Sequence, residues 1–384
     1  MARLVRKDIV KMKVCFVTNL PNLVGANQSM LDILSKCDKR DLTPVVLIGR
    51  HGPLEDELKK LGIRYKIIRY STEVKKRNFV KNFLKVIMNY MAVFKIRKFF
   101  REEKFDLIHN NTVFVRVGIE AAYREKIPYV CHIREFVWED SRVRLLREKR
   151  QYFLMDHAER VIAISNAIKD KFCKILKNAQ FEIVYDGIDA ERYYQQNHEL
   201  FKKENTIVML VGRIVPYKGQ LEAVKAVGEL EKRGIKNVRL QIVGNVGHKQ
   251  YYSEIKNYIE ENNLSQIEVI EFTSDLRELR RQSDINLVCS YVEGLGRVTV
   301  ESMLAGCVTI GADTGATNEL IKDKENGFLY ERGNYNDLAE KILYVIGHKE
   351  DMKNITQAAQ NFALEKFDAD IYYEKIYNIY KSII

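Results

Sequence analysis

The chain has 384 residues and a formal net charge of +11. This length allows two domains of ordinary size, each with its own hydrophobic core. No apolar run approaches the roughly 20 residues that span a bilayer, and no solenoid repeat period occurs, so the pattern excludes membrane-spanning and repeat architectures.

Positive charge is concentrated in the first half of the sequence. Residues 1–180 contain 38 Lys and Arg against 20 Asp and Glu, a balance of +18, whereas the remainder contains 25 against 32, a balance of −7. A basic first half is typical of proteins that meet an anionic partner, such as a membrane surface or a lipid phosphate. No nucleic-acid-binding module is recognisable, so we expect no nucleic-acid partner. A surplus of solvated surface lysine is the simpler alternative.

The six cysteines show no metal-binding spacing, and three of them lie inside apolar runs. They are typical of small buried residues in a reducing compartment. The first residues also lack the uninterrupted apolar segment of a signal peptide. We therefore expect a cytoplasmic protein that can contact the inner face of the cell membrane. The pattern does not indicate an oligomeric state.

After an extension over residues 1–12, apolar runs alternate with helix-like segments as far as residue 188. The runs of strand length lie at residues 14–18, 44–48, 106–109, 128–132 and 160–164. This alternation predicts a first α/β domain over residues 13–188, with a parallel sheet covered by helices on both faces. Ligands of such sheets collect at the carboxyl ends of strands, where residues 19–25, 109–111 and 132–135 fall.

One predicted helix, over residues 79–100, is both basic and amphipathic. Its apolar residues include Phe79, Phe83 and Phe94, with lysines and arginines interleaved among them. Such a helix can lie on an anionic membrane surface. More commonly it buries its apolar face in the core of its own domain.

A polar stretch over residues 189–204 is typical of a linker, and the strand-helix pattern restarts after it. Strand candidates lie at residues 207–211, 239–243, 266–272, 285–289 and 308–310. They predict a second α/β domain over residues 205–365, followed by a closing helix within residues 366–384. Two such Rossmann-like domains, each with a parallel sheet, would face a central cleft.

The most informative stretch, residues 290–306, places Glu293 and Glu301 on either side of a glycine-bearing turn between a strand and a helix. Gly294 and Gly296 let the backbone approach a ligand, and the first amides of the helix face an anion. A carboxylate repels phosphate, so a carboxylate beside an anion site is expected to bind hydroxyl groups instead. A nucleotide-sugar has hydroxyls on both sides of its diphosphate. A capped helix with two solvated glutamates is the alternative.

A second loop supplies the opposite charge. Arg213 and Lys218 lie between a strand and a helix, where two fixed cations can neutralise a diphosphate and stabilise it as it leaves. With these cations present, the glutamates are left to bind hydroxyls. The pair therefore favours a nucleotide-sugar site over a capped helix.

Several motifs together resemble the retaining glycosyltransferases of family four, which have the GT-B fold. They are Gly-Arg-x-x-x-x-Lys-Gly at 212–219, Val-Gly-Asn at 243–245, the two glutamates eight residues apart, Glu-Leu-Ile at 319–321, Asn-Gly-Phe-Leu at 326–329 and Tyr-Asp-Gly-Ile-Asp at 185–189. The resemblance is strong in the second domain and looser in the first. The resemblance implies that the C-terminal helix crosses back to the first domain. Within the family, the sequence is similar to bacterial surface-polysaccharide transferases.

The resemblance also implies residue roles. Arg213 and Lys218 match the diphosphate clamp, Glu301 the ribose ligand and Glu293 the residue that faces the donor hexose. His132 matches the active-site histidine near the anomeric carbon. The backbone amides that match the sugar and phosphate contacts belong to Gly294, Leu295, Gly296, Arg297 and Val298.

Further correspondences are weaker because the sequence departs from the family pattern. Of the paired glycines after the first strand only Gly25 is present, and the nucleobase side is reduced to Thr273 and Ser274. The acceptor-side candidates are His109, Asn111, Arg134 and Glu135, with Asn111 standing where a second histidine is common.

The predicted function is transfer of a hexose or N-acetylhexosamine, with retention, from a nucleoside-diphosphate sugar. UDP is favoured over GDP, and neither metal nor cofactor is needed. The predicted acceptor is a saccharide or a lipid-linked saccharide of bacterial surface-polysaccharide or glycoconjugate synthesis. The alternatives are a non-catalytic nucleotide-sugar-binding or partner-stabilising subunit, and a nucleotide-sugar epimerase.

Overall fold

The computed structural model describes residues 11–23, 25–37, 41–273 and 275–384. Most of the predicted extension over residues 1–12 lies outside this part, and β1 already begins at Met12. The chain divides into two compact units. The first contains the residues up to Gly187 together with Ala369–Ile384, and the second contains Ile188–Asp368.

Each unit is built on one sheet in which every pairing is parallel. The strands of the first are β1 Met12–Val17, β2 Leu42–Ile48, β3 Arg64–Ile67, β4 Leu107–Asn110, β5 Tyr129–Ile133, β6 Arg160–Ala163 and β7 Phe181–Ile183. Those of the second are β8 Thr206–Val211, β9 Val238–Val243, β10 Ile267–Ile270, β11 Ile285–Val288, β12 Val308–Ala312 and β13 Phe328–Tyr330.

Helices connect the strands along the described chain. Up to Gly187 they are α1 Ala26–Lys36, α2 Leu54–Lys60, α3 Phe79–Glu103, α4 Val117–Glu125, α5 Trp138–Ser141, α6 Glu148–Asp156 and α7 Asn166–Phe172. The rest are α8 Ala190–Tyr193, α9 Gln220–Lys232, α10 Lys249–Glu261, α11 Arg277–Arg281, α12 Arg297–Leu304, α13 Thr317–Leu320, α14 Tyr335–Gly347, α15 Lys349–Phe367 and α16 Ala369–Lys381.

The two sheets share one strand order. The first reads β3-β2-β1-β4-β5-β6-β7 and the second β10-β9-β8-β11-β12-β13. In each, the chain moves outward in one direction from the first strand and then returns to pair with it on the other side, as in doubly wound Rossmann folds. The predicted α/β class is confirmed. In such sheets a ligand binds where the order reverses, which here means beside β1 and β4, and beside β8 and β11.

The central strands are buried on both faces, because helices cover each sheet on both sides. All residues of β4, β5, β11 and β12 are buried. The predicted continuous apolar runs are what this environment requires. The runs also predicted the positions of these strands within one or two residues.

The last helix, α16, belongs to the first unit, as the predicted fold implies. It packs against α1 and adds Tyr372, Ile376 and Tyr380 to the core that also contains Phe16 of β1. In the second unit Ile188 pairs with Asp368, and its amide donates to the carbonyl of Phe367 at 2.7 Å. The chain therefore enters and leaves the second unit at adjacent points.

Several details differ from the predicted pattern. The edge strands β3, β7 and β13 were not among the predicted strands. Each has only three or four residues, which is too short for an apolar period to be visible in the sequence. The predicted linker over 189–204 contains helix α8 and lies within the second unit. Of the cysteines, four are buried, but Cys173 is exposed. None of the described helices is both long and apolar enough to cross a membrane.

Candidate functional site

The second sheet brings two loops from distant parts of the chain together. The loop after β8 carries Arg213 and Lys218, and the loop after β11 carries Glu293. Strands β8 and β11 are paired neighbours, with Leu210 opposite Leu287. Both loops therefore start at the same edge of the sheet, at the point where the strand order reverses.

At this edge Lys218 and Glu293 are in direct contact. The lysine Nζ donates to Glu293 Oε1 at 2.5 Å, and the hydroxyl of Ser290 donates to the same oxygen at 2.5 Å. The two charged side chains retain 30% and 16% exposure, so the ion pair can be reached from solvent. The predicted cation and carboxylate thus lie side by side.

A close backbone contact at Gly219 holds these loops together. A Cβ atom at Gly219 would lie 2.1 Å from the carbonyl oxygen of Cys289, and its φ of +71° is in the left-handed region. The amide of Tyr291 also donates to the carbonyl of Tyr217 at 3.0 Å. Only glycine permits both the approach and the dihedral angle, and the following residue is the first of α9.

We expect Gly219→Ala to lower turnover by about 10- to 100-fold, because displacement of this turn moves Lys218 away from Glu293. Gly234→Ala is the matched control, since Gly234 has φ +83° but no atom within 4 Å of its Cβ position. The control isolates backbone strain from the clash. Steady-state kinetics and thermal unfolding of both variants make the comparison, and equal losses of activity would contradict the assigned role of the contact.

Two more glycines support the loop of Arg213. A Cβ at Gly244 would lie 2.1 Å from the carbonyl oxygen of Gly212, and one at Gly247 would lie 2.4 Å from Arg213 Nε. The amide of Ile214 donates to the carbonyl of Asn245 at 2.9 Å. The turn over 243–247 therefore packs directly against the cationic loop, while the side chain of Arg213 remains exposed.

Helix α12 begins next to Glu293. Its N-cap residue Gly296 has φ +91°, and Leu295 is buried beneath the turn. The amide of Ala316 donates to the carbonyl of Glu293 at 3.1 Å and fixes the backbone there. The first amides of a helix have no carbonyl partner inside the helix, and no acidic residue lies in the first turn of α12. This end of the helix suits an anion.

Glu301, the predicted ribose ligand, has a partner that the sequence did not reveal. Arg280 of α11 donates to Glu301 Oε2 at 2.7 Å, and the arginine side chain is only 1% exposed. The guanidinium also lies 5.3 Å from the ring centre of Tyr193. Arg280 therefore holds the Oε2 atom of Glu301. The other carboxylate oxygen, Oε1, lies 3.9 Å from Arg297 Nε.

The predicted nucleobase side is described only in part. Thr273 follows β10, the edge strand two positions from β8, and its hydroxyl accepts from the amide of Asp275 at 3.2 Å. Ser274 lies outside the described residues. No contact links Thr273 to Glu293 in the described part of the chain, so its role remains a prediction.

In the first unit, His132 is the next-to-last residue of β5, and His109 lies in the neighbouring strand β4. Their rings are joined at 3.2 Å between His132 Nδ1 and His109 Nε2, and His109 Nδ1 contacts the hydroxyl of Tyr380 at 2.6 Å. Burial, the charge of Arg134 and the neighbouring histidine hold the pKa of His132 well below its usual value. His132 is therefore a neutral imidazole, and its Nε2 has no hydrogen-bond partner among the described residues.

Arg134 occupies the interior rather than an open surface. It forms an ion pair with Asp186 and donates to the hydroxyl of Tyr372 at 2.9 Å. It also donates to the backbone carbonyl and to the side-chain oxygen of Asn111, each at 3.1 Å. The side-chain nitrogen of Asn111, Nδ2, donates to the carbonyl of Ala26 at 2.8 Å. Arg134 and Asn111, two of the four predicted acceptor-side residues, therefore have structural partners in this network.

Glu135 and Gly25 complete the predicted set. The hydroxyl of Thr112 donates to Glu135 at 2.6 Å, and burial raises the pKa of this carboxyl to about 7, while the bond from Thr112 opposes the rise. Gly25 precedes α1, and its Cβ position has no atom within 4 Å. Glu135 can thus exchange a proton near neutral pH, and space is open above Gly25.

Comparison with known proteins gives two family matches. Residues 24–192 match the model described as Glycosyltransferase Family 4, and residues 192–362 match Glycosyl transferases group 1. Together the matches run through both units. The chain belongs to glycosyltransferase family four. Its predicted GT-B fold is confirmed as well, as two Rossmann-like units, each with a parallel sheet.

Relatives of this family-four glycosyltransferase include an uncharacterized glycosyltransferase of Methanocaldococcus jannaschii, 29% identical over 68% of this chain and 71% of the relative. An Escherichia coli UDP-Gal:alpha-D-GlcNAc-diphosphoundecaprenol alpha-1,3-galactosyltransferase is 21% identical, over 97% of this chain and 98% of the relative. HepE of Anabaena, solved with UDP and glucose, superimposes with a TM-score of 0.80 at 23% identity, over 97% of this chain and 100% of HepE.

Proposed function

We propose that the chain transfers a hexose or N-acetylhexosamine from a nucleoside-diphosphate sugar, UDP rather than GDP, to a hydroxyl with retention of configuration. The observation that carries this proposal is the contact between Lys218 and Glu293 at the reversal point of the second sheet. There a cation for phosphate and a carboxylate for sugar hydroxyls lie within one hydrogen bond, beside the first turn of α12.

The chemistry requires charge stabilisation more than covalent catalysis. As the bond from the anomeric carbon to the diphosphate oxygen breaks, negative charge builds on the diphosphate, and Arg213, Lys218 and the α12 amides oppose it. Glu293 orients the hexose through its hydroxyls. The acceptor oxygen bonds to the anomeric carbon on the face that the diphosphate leaves, and the acceptor proton moves to the departing phosphate. No second carboxylate is required.

The acceptor class is proposed from relatives. The Escherichia coli relative is named for a diphosphoundecaprenol-linked acceptor, and a Staphylococcus aureus relative, 21% identical over 82% of this chain, for capsular polysaccharide biosynthesis. A saccharide or lipid-linked saccharide acceptor fits both names. We therefore propose a place in bacterial surface-polysaccharide or glycoconjugate synthesis.

A panel of UDP- and GDP-sugars, with and without EDTA, tests the donor and the absence of a metal requirement. A donor that binds the native state at 100 times its dissociation constant adds about 2.7 kcal/mol of stability, which thermal unfolding detects. We expect a UDP-sugar to give the largest shift. A single turnover with that radiolabelled donor and a lipid-linked acceptor should release UDP equally well with EDTA, because the cations and amides neutralise the phosphate.

Three outcomes would contradict this proposal. Donor binding without transfer to any acceptor of a broad panel would indicate a binding subunit. Release of UDP together with an altered sugar, in the absence of acceptor, would indicate an epimerase. Activity that EDTA abolishes and Mn²⁺ or Mg²⁺ restores would show that a metal neutralises the diphosphate.

A further inference from the structure

Helix α3 exposes a continuous apolar face. Eight large apolar side chains between residues 79 and 94 are 42–81% exposed, and we call them the α3 face: Phe79, Val80, Phe83, Leu84, Ile87, Tyr90, Met91 and Phe94. At 100° per residue, these eight positions fall within about 140° of the helix circumference. The face extends over about four turns.

This face is not the one that packs on the unit. The opposite side of α3 is buried against the first unit, mainly through α4. That buried side comprises Asn82, Asn89, Ala92, Val93, Ile96, Phe99 and Phe100. The helix thus satisfies the requirement for a core face and still leaves a second apolar stripe in water. Contiguous exposed apolar surface of this kind marks an interaction site.

The surroundings of the α3 face are strongly basic. Residues 74–101 contain nine Lys and Arg and no Asp or Glu. Lys75, Lys76 and Arg77 are exposed immediately before the helix, where the positive end of its dipole disfavours cations. A second basic segment joins them, because Val74 pairs with Leu145 and the amide of Lys75 donates to the carbonyl of Arg144 at 2.8 Å.

An aromatic side chain and a small cavity adjoin this basic surface. Trp138 is 46% exposed, with the guanidinium groups of Arg142 and Arg144 at 5.8 and 5.5 Å from its ring centre. Tyr90 of the α3 face borders a cavity of about 100 Å³. Four arginines and Glu120 line that cavity as well, and Arg116, Arg124 and Arg150 donate to the Glu120 carboxylate, while the fourth is Arg147. Arg142, Arg144 and Arg147 are exposed beside it, where guanidinium groups can meet lipid phosphates.

We propose that the α3 face docks on an anionic lipid membrane, with its apolar side chains among the acyl chains and the flanking Lys and Arg against lipid phosphates. Apolar burial and attraction to anionic lipids together set the strength of such interfacial helices. A single apolar face 16 residues long, bordered by cations on both the preceding and the following segments, has this chemistry. The inference does not depend on the proposed sugar transfer, since vesicle binding needs neither donor nor acceptor.

A second copy of this chain is the less favourable occupant. Pairing of two α3 faces would bring two segments, each with nine cations and no anions, against each other, and like charges across an interface disfavour association. Acidic lipid headgroups remove that repulsion. Charge complementarity therefore favours the membrane.

Cosedimentation of the full chain with vesicles tests the proposal. We expect binding to phosphatidylcholine vesicles that contain phosphatidylglycerol, at least tenfold weaker binding to pure phosphatidylcholine, and steep weakening with salt. Phe79→Gln with Phe94→Gln should weaken binding at least tenfold. Tyr344→Gln with Leu364→Gln, which replaces exposed apolar residues on helices of the second unit, is the matched control and should bind like the wild type.

A charge variant, Lys75→Gln with Lys76→Gln and Arg77→Gln, separates the two contributions. It should reduce the preference for anionic over neutral vesicles, while circular dichroism confirms that the helix content is unchanged. Wild-type binding by the apolar variant would overturn the proposal. So would the absence of vesicle binding at low salt, or a dimer in analytical ultracentrifugation that the apolar variant dissociates, since that result would assign the face to a second copy.

Discussion

Replacement of Lys218 by alanine is expected to lower the rate of sugar transfer by about 100- to 1,000-fold, the usual loss when one preorganised group that stabilises developing charge is removed. The Nζ atom of Lys218 lies 2.5 Å from Glu293, so the variant loses the phosphate counter-charge and also the partner that orients the carboxylate. Glu293→Ala should reduce turnover similarly, because the hexose then loses its ligand.

Lys341→Ala is a close control for this prediction. Lys341 lies in the same unit, has 23% exposure and approaches Asp323 at 3.9 Å, so it matches Lys218 in type and in having a carboxylate partner. We expect the control to turn over normally, and both variants to unfold within a few degrees of the wild type because partly exposed ion pairs contribute little stability. Turnover of Lys218→Ala within twofold of the wild type would refute the site assignment.

Replacement of Arg134 by methionine is expected to destabilise the first unit by about 3–5 kcal/mol, since it leaves the Asp186 carboxylate buried without its cation. The two side chains are 3% and 4% exposed. After the substitution, Asp186 retains only the hydroxyls of Ser29 at 2.7 Å and Tyr372 at 3.2 Å in the described network. Hydroxyl groups do not neutralise a buried charge.

The single tryptophan, Trp138, lies in the first unit, so its fluorescence in a urea titration reports on that unit. The double variant Arg134→Met with Asp186→Asn should recover part of the loss, because it removes the uncompensated charge as well. Arg64→Met, which removes an exposed arginine paired with Glu103 in the same unit, should leave the transition nearly unchanged. A midpoint for Arg134→Met equal to that of the wild type would show that the ion pair is not a stabilising element.

The sequence predicted the two loops of the candidate site in the second unit because strand ends are strong signals. The β8 and β11 runs are continuous and apolar, and Arg213, Lys218 and Glu293 follow them directly. Once the sheet is parallel and doubly wound, those residues must meet at one edge, although Lys218 and Glu293 are 75 positions apart. The contact between them, rather than a general vicinity, required the structure.

Other parts of the site could not be predicted from local pattern. Helix α11 reads Arg-Glu-Leu-Arg-Arg, and nothing in five residues shows that Arg280 alone is buried against Glu301. Arg134 is one of the predicted acceptor-side candidates, yet it forms an ion pair with Asp186, which lies 52 positions away in the sequence. In α3 apolar residues occur around most of the helix, so periodicity did not separate the buried face from the exposed one.

The return of α16 to the first unit also fixes an order of events during synthesis. The hydroxyl groups that meet His109 and Arg134 belong to Tyr380 and Tyr372, which leave the ribosome after the whole of the second unit. The second unit, which ends at Asp368, is complete before them. The domain translated second can therefore finish folding first, while the histidine pair of the earlier domain gains its tyrosine partners only when α16 has been made.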